Sequence, residues 1–315
     1  MDDGHLERIL RQVQSPELVQ RLADLSAPDL QTLMLEVHRR RALSVTPKKL
    51  LDQYGKDGYV RKSGVNPLTQ VAFDTLAMSL VEGFEPVELS PLAPFGVVSG
   101  LTKLGQDNAV STSRNNEVVS DCTNVLALES GLRRKADPAG TVRLCASHRL
   151  TRTRSVKEPA SFAHFRLFAL TIAGRAEPDY AFEVRAILEQ AAFYLRLLGS
   201  LGIESSRILF TELEGAPPGR LFGPIREALS AQFPKTLLEH DPENESGKSY
   251  YQCIRFRVFA STPDGTEHFL ADGGLTDWTQ QLLNNRKERF AIGAIGSERI
   301  ATLFPSDKWA KSHPS

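Results

Sequence analysis

The chain has 315 residues, 41% of them hydrophobic and 24% charged, which excludes a wholly disordered polymer of low hydrophobicity and high net charge. Thirty-eight Lys+Arg balance thirty-eight Asp+Glu, so capture of nucleic acid by bulk charge is excluded and only a local basic patch could serve. No apolar run reaches the roughly 18 residues of a membrane span. The polar start Met1–His5 has no leader pattern and three scattered cysteines make no disulfide framework, so a cytoplasmic, thiol-reduced protein is expected.

Residues 1 to 66 read as a helical extension. Ser15-Pro16, Ser26-Ala27-Pro28 and Thr46-Pro47 each put a capping hydroxyl just before a proline suited to the first helical turn. Ser26 also has Asp29 three residues on, a capping-box-like spacing. Leu30, Leu33, Met34 and Val37 then recur at i, i+3, i+4 and i+7, one apolar stripe. Arg39-Arg40-Arg41 follows, either as helix-end charge favoured by the dipole or as a phosphate or RNA contact. The stretch Asp52 to Pro67 reads as a linker.

From residue 67 to the end the pattern is that of a mixed domain. A helix is expected over Leu68–Val81, and a strand over Pro86–Leu89. Residues 117–128 read as a strand and then a helix, with a turn at Asp137–Gly140. Two β segments, Val142–Thr151 and Phe165–Ala173, flank a polar loop. Phe182–Leu201 is a helix ending at Gly202, Ile208–Thr211 a short strand, 218–233 a helix and 237–249 a loop. Tyr251–Ala260, Thr262–Gly265 and His268–Ala271 read as strand, turn and strand, and Gly273-Gly274 as a further turn. Trp278–Asn284 is a helix, Ala291–Ala294 a strand and Ser297–Leu303 a helix. Strands joined by hairpins with helices between them predict an α+β fold around an antiparallel sheet. Neither GxGxxG nor a P-loop nor GxSxG is present.

Four segments in order resemble the signature segments of class II aminoacyl-tRNA synthetases, most of all the histidyl branch and its paralogue, the regulatory subunit of ATP phosphoribosyltransferase. Gly83–Pro91 resembles motif 1, which in the family forms a dimer interface. Asp121-Cys122-Thr123 resembles the element whose carboxylate receives the α-amino group, although both side chains also suit capping of the helix that follows. Arg143–Arg154 with His164–Gly174 resembles motif 2, and Gly293-x-x-Gly296-x-x-Arg299 resembles motif 3. Tyr250-Tyr251 and Gly273-Gly274 stand between them at the branch's spacing.

What the resemblance implies is a class II synthetase-like antiparallel sheet flanked by helices, a homodimer, and an enzyme that uses ATP and Mg²⁺ to activate an amino acid or other small carboxylate as an adenylate. Arg152 and Arg299 would be catalytic. Arg152, Arg154, Gly293, Gly296 and Arg299 would hold the nucleotide, and Asp121, Thr123, Thr171, Tyr250, Tyr251, Gly273 and Gly274 the substrate. A planar, permanently charged guanidinium suits phosphate oxygens. The acceptor would be a tRNA, a carrier protein or a small amine. Some positions depart from the family. Arg154 stands where a glutamate reads adenine, Leu167 replaces a polar residue, Thr171 an acidic one, and Ser246-Gly247 stands in place of Arg-Gly. These departures make histidine a poor substrate and leave a second reading, a regulatory or ligand-binding subunit without synthesis. Cys122, Cys145 and Cys253 fall in or beside these segments and open a zinc alternative, against ordinary buried thiols. His148 and His164 read as structural, and Trp278 and Trp309 as packing residues.

Overall fold

A computed structural model describes residues 3–153, 160–242 and 250–305. Its N-terminal third begins with α1 (Asp3–Gln12), α2 (Leu18–Ala23), α3 (Ala27–Ala42) and α4 (Pro47–Lys56). Ser26 and Thr46 cap α3 and α4 as their spacing predicts, accepting from the Asp29 and Lys49 amides. Ser15 does not cap α2. Its carbonyl accepts from Leu18 and the helix starts later, after Glu17. None of α2, α3 and α4 buries a residue.

The supposed linker is a correction. Its first part continues α4, and residues 57–66 lie against the body as a strap. Tyr59 Oη donates to the Thr153 carbonyl at 2.8 Å, His164 Nε2 to the Arg61 carbonyl at 2.6 Å, and Ser63 Oγ to Glu298 at 2.9 Å.

The body then runs α5 (Pro67–Leu80), β1 (Glu85–Pro86), β2 (Leu92–Pro94), α6 (Val97–Thr102), β3 (Asn116–Val118), α7 (Cys122–Ala136), β4 (Val142–Thr151), β5 (His164–Arg175) and α8 (Ala181–Ser200). It continues β6 (Ser206–Glu212), α9 (Phe222–Gln232), β7 (Leu237–His240), β8 (Gln252–Ser261), β9 (Glu267–Thr276), α10 (Trp278–Leu283), β10 (Glu288–Gly296) and α11 (Ser297–Leu303). Eight strands form one sheet in the order β1-β4-β5-β10-β9-β8-β6-β7. Among the described residues only the two edge pairs, β1 with β4 and β6 with β7, are parallel.

Three sequence expectations change. Strand pairing stops at Glu85–Pro86 apart from one further bond from the Val87 amide, because the segment then leaves β4. Leu237–His240, expected as loop, pairs beside β6 as an edge strand; its outer side has no partner strand to impose a clean alternation. Gly273-Gly274 is no turn but lies inside β9, paired with β10 and β8.

The sheet separates two apolar layers. On one face α8 and α9 cover Leu170, Ile172, Phe210, Phe256 and Ile295. On the other, α6 and α7 cover Leu144, Ala169, Phe290 and Ile292, with Trp278 of α10 packed among them. Strand alternation explains the division, since successive side chains point to opposite faces. Arg134, at the end of α7, is almost wholly buried and forks onto Glu288 of β10 at 2.8 and 3.1 Å. It also donates to the carbonyls of Asp137, Pro138 and Gly140, so the turn after α7 is folded around it. No helix among the described residues is long and apolar enough to cross a membrane.

Candidate functional site

A cavity of about 350 Å³ opens on the α7 face where the ends of β4, β5, β9 and β10 converge. It gathers Asp121, Thr123, Arg152, Tyr250, Tyr251, Gly293, Gly296 and Arg299, which lie far apart in sequence. Thr171, Gly273 and Gly274 do not line it. Thr171 is fully buried within β5, and its hydroxyl has no hydrogen-bond partner. Arg154 lies outside the described residues, as do Ser246-Gly247 and Trp309.

Asp121 caps α7, one of its two sequence readings, and turns its other oxygen to its neighbours in the cavity wall. One carboxylate oxygen accepts from the Thr123 amide at 3.0 Å and the Thr123 hydroxyl at 2.7 Å, capping α7. The other faces Arg152 Nη2 at 3.2 Å and Tyr250 Oη at 3.4 Å. Arg152 is held on three sides. Its Nε donates to the Ser120 carbonyl at 3.0 Å, and its guanidinium lies 5.2 Å from the centre of the Phe165 ring. Such stacking favours arginine over lysine.

The paired tyrosines form a second wall. Their rings meet edge to face at 4.9 Å, and Tyr250 meets Trp278 in the same manner at 5.2 Å. Burial pushes both phenols well above their ordinary range, with Asp121 and Asp272 adding to the effect. They therefore remain neutral donors. Tyr251 Oη donates to Asp272 at 3.1 Å, and Arg255 donates to the same carboxylate oxygen at 3.0 Å. The cavity thus holds the Asp121–Arg152 pair and the carboxylate of Asp272, which Arg255 pairs from outside its lining.

Sequence reasoning missed Asp272, Arg166 and the aromatic walls Phe162, Phe165 and Phe269. A signal for Asp272 was present: an acidic residue inside the otherwise apolar run Phe269–Leu275 needs a partner. The aromatic walls carry no such mark, because they read as ordinary core.

The missing side chains of Gly293 and Gly274 also serve packing. A Cβ at Gly293 would point away from the cavity, 2.8 Å from Tyr194 Oη and from Gln190 Oε1 of α8. Its bareness lets α8 press on the sheet behind the site. A Cβ at Gly274 would meet the Tyr251 ring at 2.7 Å, so that bareness seats a tyrosine wall.

Glu298 precedes Arg299 and is buried beneath Arg149, which donates to it and, at 2.9 Å, shares a hydrogen bond with His164 Nδ1. His164 is therefore a structural bridge between Arg149 and the strap. His148 is buried on β4 and does not line the cavity. The three cysteines do not converge: Cys122 packs in the α7 layer, Cys145 and Cys253 in the α8 layer. Among the described residues no three His, Cys, Asp or Glu side chains gather as a metal site. Burial pushes the Cys145 and Cys253 thiols up to about 11, leaving them protonated and poor ligands.

The S. aureus histidyl-tRNA synthetase superposes with a TM-score of 0.63 at 13% identity, over 80% of this chain and 70% of that one. The chain has the class II aminoacyl-tRNA synthetase-like fold. An ATP phosphoribosyltransferase regulatory subunit/histidyl-tRNA synthetase from Bacillus halodurans gives 0.56 at 11% identity, over 78% and 82% of the two chains. A histidine–tRNA ligase subunit from Alicyclobacillus acidocaldarius gives 0.58 at 12%, over 79% and 96%. No family model matches the sequence, and no curated protein does. The fold is thus shared at low sequence identity, and the cavity lies within it.

Proposed function

We propose that the chain binds a free amino acid or a close analogue together with ATP, and joins the carboxylate to the α-phosphate as an adenylate. The observation that carries this reading is the Asp121–Arg152 pair on the cavity wall, 3.2 Å apart. An ammonium group fits the carboxylate and a carboxylate fits the guanidinium. A zwitterion entering between them replaces one ion pair by two. Thr123 and Tyr250 hold Asp121 in place, and Ser120 and Phe165 hold Arg152.

In the reaction a substrate carboxylate oxygen forms a bond to the α-phosphorus. The bond from that phosphorus to the bridging oxygen breaks, and pyrophosphate leaves with the electron pair. The attacking carboxylate is already ionised, so no protein base is required. Arg152 and Arg299 would offset charge on the phosphate oxygens and hold the reactants in line. Mg²⁺ would arrive with the nucleotide and offset the charge on its phosphates. A tRNA or a carrier protein would accept the activated group, in a cytoplasmic setting.

A second reading is a ligand-binding subunit without synthesis. It is favoured by Arg154 and Leu167, which stand where nucleotide and substrate contacts are expected. One experiment separates the two: ATP–pyrophosphate exchange with each of the twenty amino acids, using Arg299→Ala as control. Exchange that depends on one amino acid and disappears in the variant supports adenylation. Calorimetric binding of an amino acid, with neither exchange nor ATP binding, supports the second reading. Binding of neither overturns both.

A further inference from the structure

We propose that the N-terminal helices are an association arm that pairs with the arm of a second copy of this chain, through a surface separate from the motif 1 region. Helices α1 and α3 carry the same apolar spacing. Leu6, Ile9, Leu10 and Val13 repeat the i, i+3, i+4, i+7 pattern of Leu30, Leu33, Met34 and Val37. Yet Leu6, Ile9, Val13, Leu33 and Val37 are each 37–47% exposed, and none of the residues 4–66 is buried. Helices this short are marginal without a packed apolar face. Fourteen large apolar side chains between Leu6 and Val60 remain exposed. This is a supply suited to the roughly 800 Å² that a stable interface takes from each partner.

Charge identifies the occupant. Residues 1–36 hold seven acidic and three basic side chains, while residues 37–66 hold eight basic and two acidic. Part of this charge is spent within α3, where Glu36 pairs with Arg39 and Arg40. The remainder makes the arm negative at its start and positive at its end. Two arms laid antiparallel therefore set each negative half on a positive half, as a two-fold interface requires. A single-stranded RNA would suit only the second half and would leave the apolar stripes wet. The arm ends in the strap, which is anchored beside Arg152 by Tyr59 on Thr153 and beside Arg299 by Ser63 on Glu298. Pairing of arms is thereby tied to the mouth of the cavity.

The test is hydrogen exchange on the full chain across about 1 to 100 µM. Amides of α1–α4 should slow by about tenfold or more as concentration rises, while those of the sheet stay constant. Two charge-swap variants carry the argument further. Glu7→Lys/Glu17→Lys/Asp24→Lys turns the net charge of residues 1–36 from −4 to +2, and Arg39→Glu/Arg40→Glu/Arg41→Glu cancels that of residues 37–66, from +6 to 0. Each alone should lose the concentration-dependent protection, and an equimolar mixture should regain it. Unchanged sheet protection shows that both variants fold. Arm protection independent of concentration, absent at every concentration, gained only on adding oligo(U) RNA, or not regained in the mixture would overturn the proposal.

Discussion

At the scale of single residues, Asp121 has two duties that one substitution can separate. Asparagine keeps an oxygen to accept from the Thr123 amide, but removes the charge facing Arg152. Asn is as good a helix cap as Asp, whereas alanine forfeits the cap at about 1 kcal/mol. Asp121→Asn should therefore leave the urea midpoint almost unchanged while abolishing amino-acid binding in calorimetry. Asp121→Ala should lose both. Equal binding by wild type and Asp121→Asn would remove the zwitterion reading of the cavity. His148 gives a second residue-scale expectation. Burial holds its pKa below the ordinary value near 6.5, Arg166 lowers it further, and Glu88 opposes them. The folded protein keeps this ring neutral where the unfolded chain takes up a proton. Stability is therefore fully present above about 6.5 and falls as pH drops below it, by up to about 1.4 kcal/mol per unit. Between pH 7 and 5.5 His148→Gln should lose less stability than wild type in denaturant titrations. Parallel curves would show that the ring does not drive the slope.

At the scale of elements, the fork of Arg134 decides how α7 is held. The arginine and Glu288 are both nearly inaccessible, and the guanidinium also serves three carbonyls of the turn that follows. Arg134→Met should cost about 3–5 kcal/mol, because it strands a buried carboxylate. Adding Glu288→Leu should recover part of that loss, read as a coupling energy in a double-mutant cycle. Additive losses would mean that the pair does not act as a unit. Nothing in the sequence marked Arg134, since it reads as one of the last-turn cations that the helix dipole favours. Other elements were legible. The hairpin β8–β9 announced itself through Thr262–Gly265, α3 and α4 through their capping hydroxyls, and α8 through its long apolar run. What failed were segments whose form is set by distant partners. The strap looked like a linker because Gly, Lys and Tyr are solvent-compatible, and its order comes from residues some 90 to 235 positions away. Gly273-Gly274 looked like a turn because glycine pairs so often mark one. Here the aromatic rings of Phe256 and Tyr251, packing on opposite faces of the strand, demand the missing Cβ atoms. Sequence reasoning picked out the cavity residues that lie in local patterns, Asp121, Thr123, Arg152, Tyr250-Tyr251, Gly293, Gly296 and Arg299, and missed Asp272, Arg166 and the phenylalanine walls, which pairing of distant strands brings there.

At the scale of the whole molecule, association should separate into two processes with opposite salt responses. Beside β1, an open groove is lined by Val87, Leu89, Val125, Leu128 and Leu132, and Leu132 is 67% exposed. The lining of the groove includes residues 87–90 of the segment that resembles motif 1, and its surface is largely apolar, with Glu88 and Glu129 among its residues. Burial of such a surface does not depend on Coulomb attraction and is strengthened, if anything, by excluded salts. The arms are different, because their pairing relies on exposed opposite charges that salt screens beyond about 3 Å at 1 M. Sedimentation at micromolar concentration should therefore find a dimer that persists at high salt in the wild type, and a monomer in Leu132→Glu under the same conditions. At low salt the Leu132→Glu protein should still self-associate, now through its arms alone. A wild-type monomer at high salt would exclude the groove as the body interface. A Leu132→Glu protein that remains monomeric at low salt would show that the arms cannot hold two copies together unaided. The net charge of zero makes this separation sharp. With no overall repulsion to be screened, the salt dependence of association reports local charge pairing rather than the relief of a global field.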